Sequence, residues 1–191
     1  MPEKNPVGAR IRQLREARSL SVQELAAQSS ISQALLESLE VGDLVPSLSP
    51  LIKISRALGV RLGTLLDDRS VSGPVVVRAN DPAPVVRFSG SVADARKSAL
   101  DFFSLAPNKH DRHMEPFLID VHPADAVGAP SSHEGEEFIF VLAGTVEIAY
   151  GAEVHVLRQN ESIYYDSVIP HRVRSADGAE ARILAVVFTP C

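Results

Sequence analysis

An α + β two-domain chain is predicted, with five short N-terminal helices followed by an all-β barrel. Three observations predict it. Apolar residues recur at helical spacing up to Leu66, and at alternating spacing within short runs beyond it. Between the two textures lies DDRSVSGPVVVRANDPAP (67–84), rich in Pro, Gly, Ser and Asp. Charge divides the same way. Residues 1–67 carry eight Lys and Arg against seven Asp and Glu, whereas residues 68–191 carry eleven against seventeen. A length of 191 residues leaves room for two modest cores. The expected limits are 1–67 for the helical domain, 68–74 for a linker and 75–191 for the barrel.

The helices follow in order. Val7–Arg18 carries a stripe of Ile11, Leu14 and Ala17 expected to face inward, with Arg10, Arg12, Arg15 and Arg18 on the same helix. Ser21–Gly42 reads as two helices joined by a tight turn. Ser21 and Glu24 have capping-box spacing, Ser32 can cap the second helix and Gly42 can end it. Helices this short need neighbours to bury their stripes. Ser49–Leu58 and Arg61–Leu66 supply the fourth and fifth.

Residues 7–66 resemble the helix-turn-helix domain of the Xre/Cro/phage-repressor family. The resemblance is carried by Ile11, Leu14-Arg15, Leu20-Ser21, Glu24-Leu25-Ala26, Ile31-Ser32, Leu36, Leu39-Glu40, Gly42, Pro46-Ser47-Leu48 and Ala57–Val60. Ser30 departs from it, standing where the family has glycine, and Val41 stands where a polar residue is common. The resemblance implies that the helix opening at Ser32 enters the major groove of double-stranded operator DNA. Ser32, Gln33, Ala34, Glu37 and Ser38 are its outward positions. Gln33 is the expected base reader, since its amide can pair bidentately with adenine. Gln23 resembles the family's phosphate-contacting position, and Arg10 is a further backbone contact. Leu35 looks exposed, and Glu40 is expected to pair with an arginine of the first helix. The weak basic charge of this half implies two heads acting as a homodimer.

Beyond residue 74 the expected strands are Val75–Arg78, Val85–Phe88, Leu100–Leu105, Glu115–Val121, Glu136–Leu142, Thr145–Tyr150, Val154–Leu157, Ser162–Tyr165, His171–Arg174 and Arg182–Phe188. Equal parity would place Ser131, His133 and Glu137 on one interior face if the bend at Gly135 preserves it. His171 opens another strand. Two imidazoles and a carboxylate with open positions suit a divalent metal, Fe, Mn, Ni or Zn. Lys109 and Arg112 form a basic pair able to hold an acidic effector. Of Tyr164 and Tyr165 only one can point inward, and Tyr164 is the expected pocket residue. His110, His122 and His155 are expected at the surface. Phe138, Phe140 and Leu142 oppose Glu137 and suggest burial against another sheet or subunit.

SSHEGEEFIFVLAG (131–144) and NESIYYDSVIPH (160–171) resemble the two motifs of the cupin family, a double-stranded β-helix barrel. His133, Glu137, Gly144 and His171 match motif positions. Ser131 replaces the first histidine, and Asn160 stands where glycine is usual. The resemblance implies that His133, Glu137 and His171 hold the metal, and Ser131 leaves space beside it for an effector. The joined layout resembles Xre-type regulators with a C-terminal cupin sensor. It also resembles a small group of mononuclear iron oxygenases, the hydroxypropylphosphonate epoxidases, which share the His-Glu-His set. That group uses a lysine from the helical domain, and the matching stretch here, Arg18-Ser19-Leu20, has none. A regulator is therefore expected, with no catalytic residues. With no apolar run of membrane-spanning length and no leader-like N-terminus, a cytoplasmic protein is expected.

Overall fold

The computed structural model describes residues 6–42, 44, 47–67, 73–78, 85–87, 99–109, 112–123 and 129–190. Five α-helices come first: α1 (Pro6–Ala17), α2 (Val22–Ser29), α3 (Gln33–Val41), α4 (Leu48–Ala57) and α5 (Leu62–Leu66). Proline at the first position of α1 has the fixed φ a helix start needs. At α2 the capping box closes as the spacing predicts. Ser21 Oγ accepts from the Glu24 amide at 3.2 Å, and the Glu24 carboxylate accepts from the Ser21 amide at 2.7 Å. Ser32 Oγ accepts from the Leu35 amide at 3.2 Å, and Gly42 closes α3 at φ +85. Ser30, in the turn between α2 and α3, adopts the left-handed conformation at φ +53.

Ile11, Leu25, Leu36, Leu39, Leu51 and Ile54 form the helical core. α1 crosses α3 so closely that a Cβ on Gly8 would lie 2.0 Å from the Leu39 carbonyl oxygen. Two expectations for this half are corrected. Ala17 is exposed, and the inward residue of that turn is Arg15. Its guanidinium forks onto Glu40, with Nε and Nη2 donating at 2.6 and 2.8 Å, and Nη1 donates to the Leu20 carbonyl at 2.8 Å. A bidentate partner is what lets an arginine replace an alanine inside. Leu35 is half-buried and packs on the core, so it is not the exposed leucine its position suggests.

Among the described residues the strands are β1 (Val85–Arg87), β2 (Leu100–Ser104), β3 (Met114–Val121), β4 (Glu136–Ala143), β5 (Thr145–Tyr150), β6 (Glu153–Arg158), β7 (Ser162–Asp166), β8 (His171–Ser175) and β9 (Ala181–Phe188). They form two antiparallel sheets, ordered β1-β2-β3-β9-β4-β7 and β6-β5-β8. Alternation of buried and less buried residues on β3, on β9 and on β4 as far as Val141 turns one face of the large sheet inward. Phe117, Ile119, Ile139, Val141, Ile183 and Val187 lie there, and Val146 and Ile148 of the small sheet are buried too. Val75–Arg78 forms no strand. Three valines favour β structure only where an edge is available to pair with, and no described strand pairs with them. Most of the expected linker, 68–72, and Phe88 lie outside the described residues.

The helical half touches the β half at named points. Ser49 Oγ on α4 donates to the Ser132 carbonyl at 2.9 Å, and Arg56 on α4 pairs with Glu134. The Gly63 amide of α5 donates to Glu115 Oε1 at 3.1 Å.

Candidate metal centre and nucleic-acid face

The β half gathers His133, Glu137 and His171, all buried, with one ligand atom from each lying within 4.8 Å of the others. Three local features bring them together. Gly135 turns the chain at φ +113, where a Cβ would meet the Phe188 carbonyl oxygen at 2.0 Å, so only glycine passes between His133 and Glu137. The register of β4 then aims Glu137 inward, in the same row as Val187 of β9. His171 is set by an isolated bridge to Ser131, with amide-to-carbonyl distances of 2.7 and 2.9 Å. That pairing keeps Ser131 beside His171 on one face.

The donors are oriented for a cation. Both Nδ1 atoms face backbone carbonyls, His133 on Glu134 at 3.1 Å and His171 on Ile169 at 2.9 Å. Donation there keeps a proton on both Nδ1 atoms, so each Nε2 faces the centre and can offer a lone pair to a metal once its own proton is released. Nε2 of His133 and His171 lie 2.8 and 3.3 Å from Glu137 Oε1. Glu137 is held in turn by Tyr165, whose hydroxyl donates to Oε2 at 2.8 Å, and by Ser167 Oγ at 3.3 Å from Oε1. Burial alone would raise the Glu137 pKa. Hydrogen bonds from both histidines outweigh it and hold the carboxyl well below the usual range. Burial pulls His171 down, yet its bond to Glu137 leaves it raised. Two imidazoles, one ionised carboxylate and outer-shell carbonyls fit a divalent metal by donor chemistry.

Several expected pocket residues lie elsewhere. Tyr164 is 62% exposed, and its hydroxyl donates to Glu136 on the outside. The inward tyrosine is Tyr165, because it is the residue paired directly across from Glu137. Arg112 lies at the junction between the two halves. It is clamped by Asp67 at the end of α5 and by Glu115, whose Oε2 accepts from Nε at 2.5 Å. A buried guanidinium needs counter-charges, and these two carboxylates supply them. The Lys109 carbonyl accepts from Arg112 Nη1 at 2.8 Å. Burial pushes the Glu115 carboxyl up to about 7, against the opposing pull of Arg112. Ser167 and the two carboxylates that clamp Arg112, Asp67 and Glu115, carry no spacing signal, so pattern reading misses them, and it offers Tyr165 only as one of a pair. His122, expected as a plain surface residue, lies between Asp101 and Glu180, 3.2 Å from each. His110 lies outside the described residues.

On the helical half, Gln23, Ser32, Gln33, Ala34 and Glu37 are exposed, and Ser38 is half-buried with its hydroxyl donating to the Ala34 carbonyl at 2.9 Å. Gln33 Nε2 donates to Glu37 Oε1 at 2.8 Å. Arg10 does not project freely. It donates to the Asp67 carbonyl at the end of α5, where helix-end carbonyls attract cations.

The geometry defines a helix-turn-helix head joined to a β barrel with a three-donor cage. Comparison with known proteins agrees with that class. The helix-turn-helix family matches residues 11–65, and the cupin domain matches residues 117–187, so the chain carries both domains. Its relatives include the HTH-type transcriptional regulator SutR of Escherichia coli, 22% identical over 182 residues, covering 94% of this chain and 93% of SutR. The (S)-2-hydroxypropylphosphonic acid epoxidase of Streptomyces wedmorensis is 25% identical over 177 residues, covering 86% and 84%. An HTH_3 family transcriptional regulator from Vibrio cholerae shares the fold at TM-score 0.71 and 23% identity, covering 98% and 97%. An Fe(II)-HppE structure aligns at TM-score 0.52 and 22% identity, covering 97% and 98%.

Proposed function

We propose that this chain is a sequence-specific DNA-binding transcription regulator whose cupin barrel senses a small molecule at a divalent metal. The observation that carries the reading is the exposed first turn of α3, capped by Ser32 and presenting Gln33, Ala34 and Glu37 to solvent. A capped helix start with short polar residues suits the major groove. Gln33 then exchanges its bond to Glu37 for adenine N6 and N7. Ser32 and Ser38 flank the groove, and Gln23 touches phosphate.

His133, Glu137 and His171 hold the metal, whose part is Lewis acidity and open positions for an oxygen-bearing effector. Ser131 flanks that space. The path from barrel to head is short. Glu134 gives its carbonyl to His133 Nδ1 and its carboxylate to Arg56 of α4. The carbonyl of Ser132, two residues before Glu134, accepts from Ser49 of the same helix. An effector that shifts the 131–135 segment therefore bears directly on the head, provided it favours one of two head positions.

Two copies acting together would place heads about 34 Å apart on a pseudo-palindrome. Phe138 and Phe140 on the outward face of β4, beside Val186 and Leu184 of β9, are only half-buried and suit a homodimer contact. Selection of bound DNA from a random pool tests the reading. A palindrome is expected, and Gln33→Ala should relax specificity at one position in each half-site by about 1–3 kcal/mol.

A second reading, a mononuclear iron oxygenase, draws on the His-Glu-His donor set and on the epoxidase relative. Failure to select any DNA sequence, together with Fe(II)-dependent O₂ uptake on a hydroxyalkylphosphonate, would establish it instead.

A further inference from the structure

Asp67, Arg112 and Glu115 meet where the two halves join, and each is at most 8% exposed. Asp67 closes α5 of the head, whereas Glu115 lies on β3 of the barrel and Arg112 just before it. Glu115 also accepts from the Gly63 amide of α5 at 3.1 Å. Gly63 lies in the first turn of that helix, where an amide has no partner within the helix. Glu115 thus grips the head twice, directly at Gly63 and through the guanidinium it shares with Asp67. A cleft lined by Arg61, His113 and Glu134 opens beside the cluster at the same junction.

The buried charges do not balance, since one guanidinium faces two carboxylates. A buried cluster with an unmatched negative charge is relieved by taking up a proton. Burial raises the Glu115 carboxyl to about 7 against the pull of Arg112, and Asp67 adds to the rise. The other ionisable groups of the surrounding elements are more open to water, which screens them. Arg10 of α1 reaches only the Asp67 backbone carbonyl and is half-buried. Arg56 of α4 pairs with Glu134, and both are more than half exposed. Arg61 and Lys109 are half-buried, and His113 is exposed. On the sheet, Val187 of β9 stands between Glu115 and Glu137 of β4.

We propose that the Asp67–Arg112–Glu115 cluster is a proton-operated latch, holding the head to the barrel while it carries one proton and loosening when that proton leaves. Protonated Glu115 leaves a neutral Asp67–Arg112 pair and keeps an oxygen for the Gly63 amide. Ionised Glu115 adds an unmatched buried charge, and opening the junction to water relieves it. A carboxyl held near 7 when docked and near its ordinary value of about 4.3 when open makes docking strongest at low pH. Between pH 6 and pH 8 those two values weaken the docking equilibrium about tenfold. No metal in the barrel is needed, and the latch works whether or not the head reads DNA.

Amide hydrogen exchange on the full-length protein, freed of metal by chelation, reads the junction at Gly63, whose amide is protected by Glu115. After correction for intrinsic exchange, Gly63 protection should fall about tenfold from pH 6 to pH 8. Gly63 should also exchange faster than the Leu36 amide of α3, because the junction opens with the helical core intact. Glu115→Gln, neutral at every pH, should abolish the fall. Asp67→Asn removes the charge that adds to the rise and should move the fall to lower pH. His113→Gln should behave as wild type. The proposal is overturned by flat wild-type protection, by a fall that persists in Glu115→Gln, or by one that vanishes in His113→Gln. Equal rates at Gly63 and Leu36 would mark whole-molecule unfolding and overturn it too. If Glu115→Gln does not fold, Asp67→Asn decides, and an unmoved midpoint there overturns the latch while leaving the regulator reading intact.

Discussion

Replacing Glu137 by glutamine removes one of the three proposed metal ligands and almost no volume. Four-ligand structural sites bind metal with about 10–16 kcal/mol, or roughly 3–4 kcal/mol per ligand. Losing one should therefore weaken affinity by about 10²–10³-fold. Glutamine keeps an oxygen able to accept from Tyr165, so the fold has a partner for that buried hydroxyl. Tyr165→Phe makes the complementary perturbation. It deletes the 2.8 Å bond that aims the carboxylate but leaves all three donors in place. A loss of only about 10–100-fold is expected, the range for outer-shell partners. Both are measured by titrating Mn(II) or Zn(II) against a chromophoric chelator near neutral pH, with thermal unfolding as the fold control. Affinity should also rise with pH. Glu137 holds the His171 proton above its ordinary range, and the metal must displace that proton. Wild-type affinity in Glu137→Gln would refute the assignment of the cage. Equal damage from both variants would refute the division of roles between ligand and orienting residue.

Three further outcomes follow from the geometry. Ser30→Gly should stabilise the head by about 0.5–1 kcal/mol, since glycine relieves a left-handed cost of about 1–2 kcal/mol and returns part of it as chain entropy. A higher thermal midpoint would show it. Glu40→Ala strands the Arg15 guanidinium and should cost about 3–5 kcal/mol, read as a lower denaturation midpoint. Glu115 is raised to about 7 by burial, so the folded state binds a proton that the unfolded chain has already released above about 4.3. Stability should therefore fall as pH rises from about 5 to about 7, by up to ~3 kcal/mol, and Glu115→Gln should flatten that slope.

Much of the architecture is legible in the chain because it is encoded over a few residues. Capping at Ser21, Glu24 and Ser32, the stop at Gly42, and the alternation along β3, β4 and β9 each depend on neighbours within about one turn or one strand. The His133–Gly135–Glu137 spacing belongs to the same class, since one glycine bend and one parity rule decide it. Ser30 is also readable as a strained turn, standing where a glycine is expected.

Tertiary structure alone decided the rest. Tyr165 faces Glu137 and Tyr164 does not, because β7 pairs with β4 in one register, and a slip of one residue would have exchanged them. Arg10 and Arg112 look in sequence like free cations for phosphate or effector. Each instead turns to Asp67, a residue 57 or 45 positions away, because the end of α5 comes to rest beside them. A charge's partner depends on which surfaces meet, and no local period carries that information. The junction cleft, with its buried guanidinium, exists only once both halves have folded and docked.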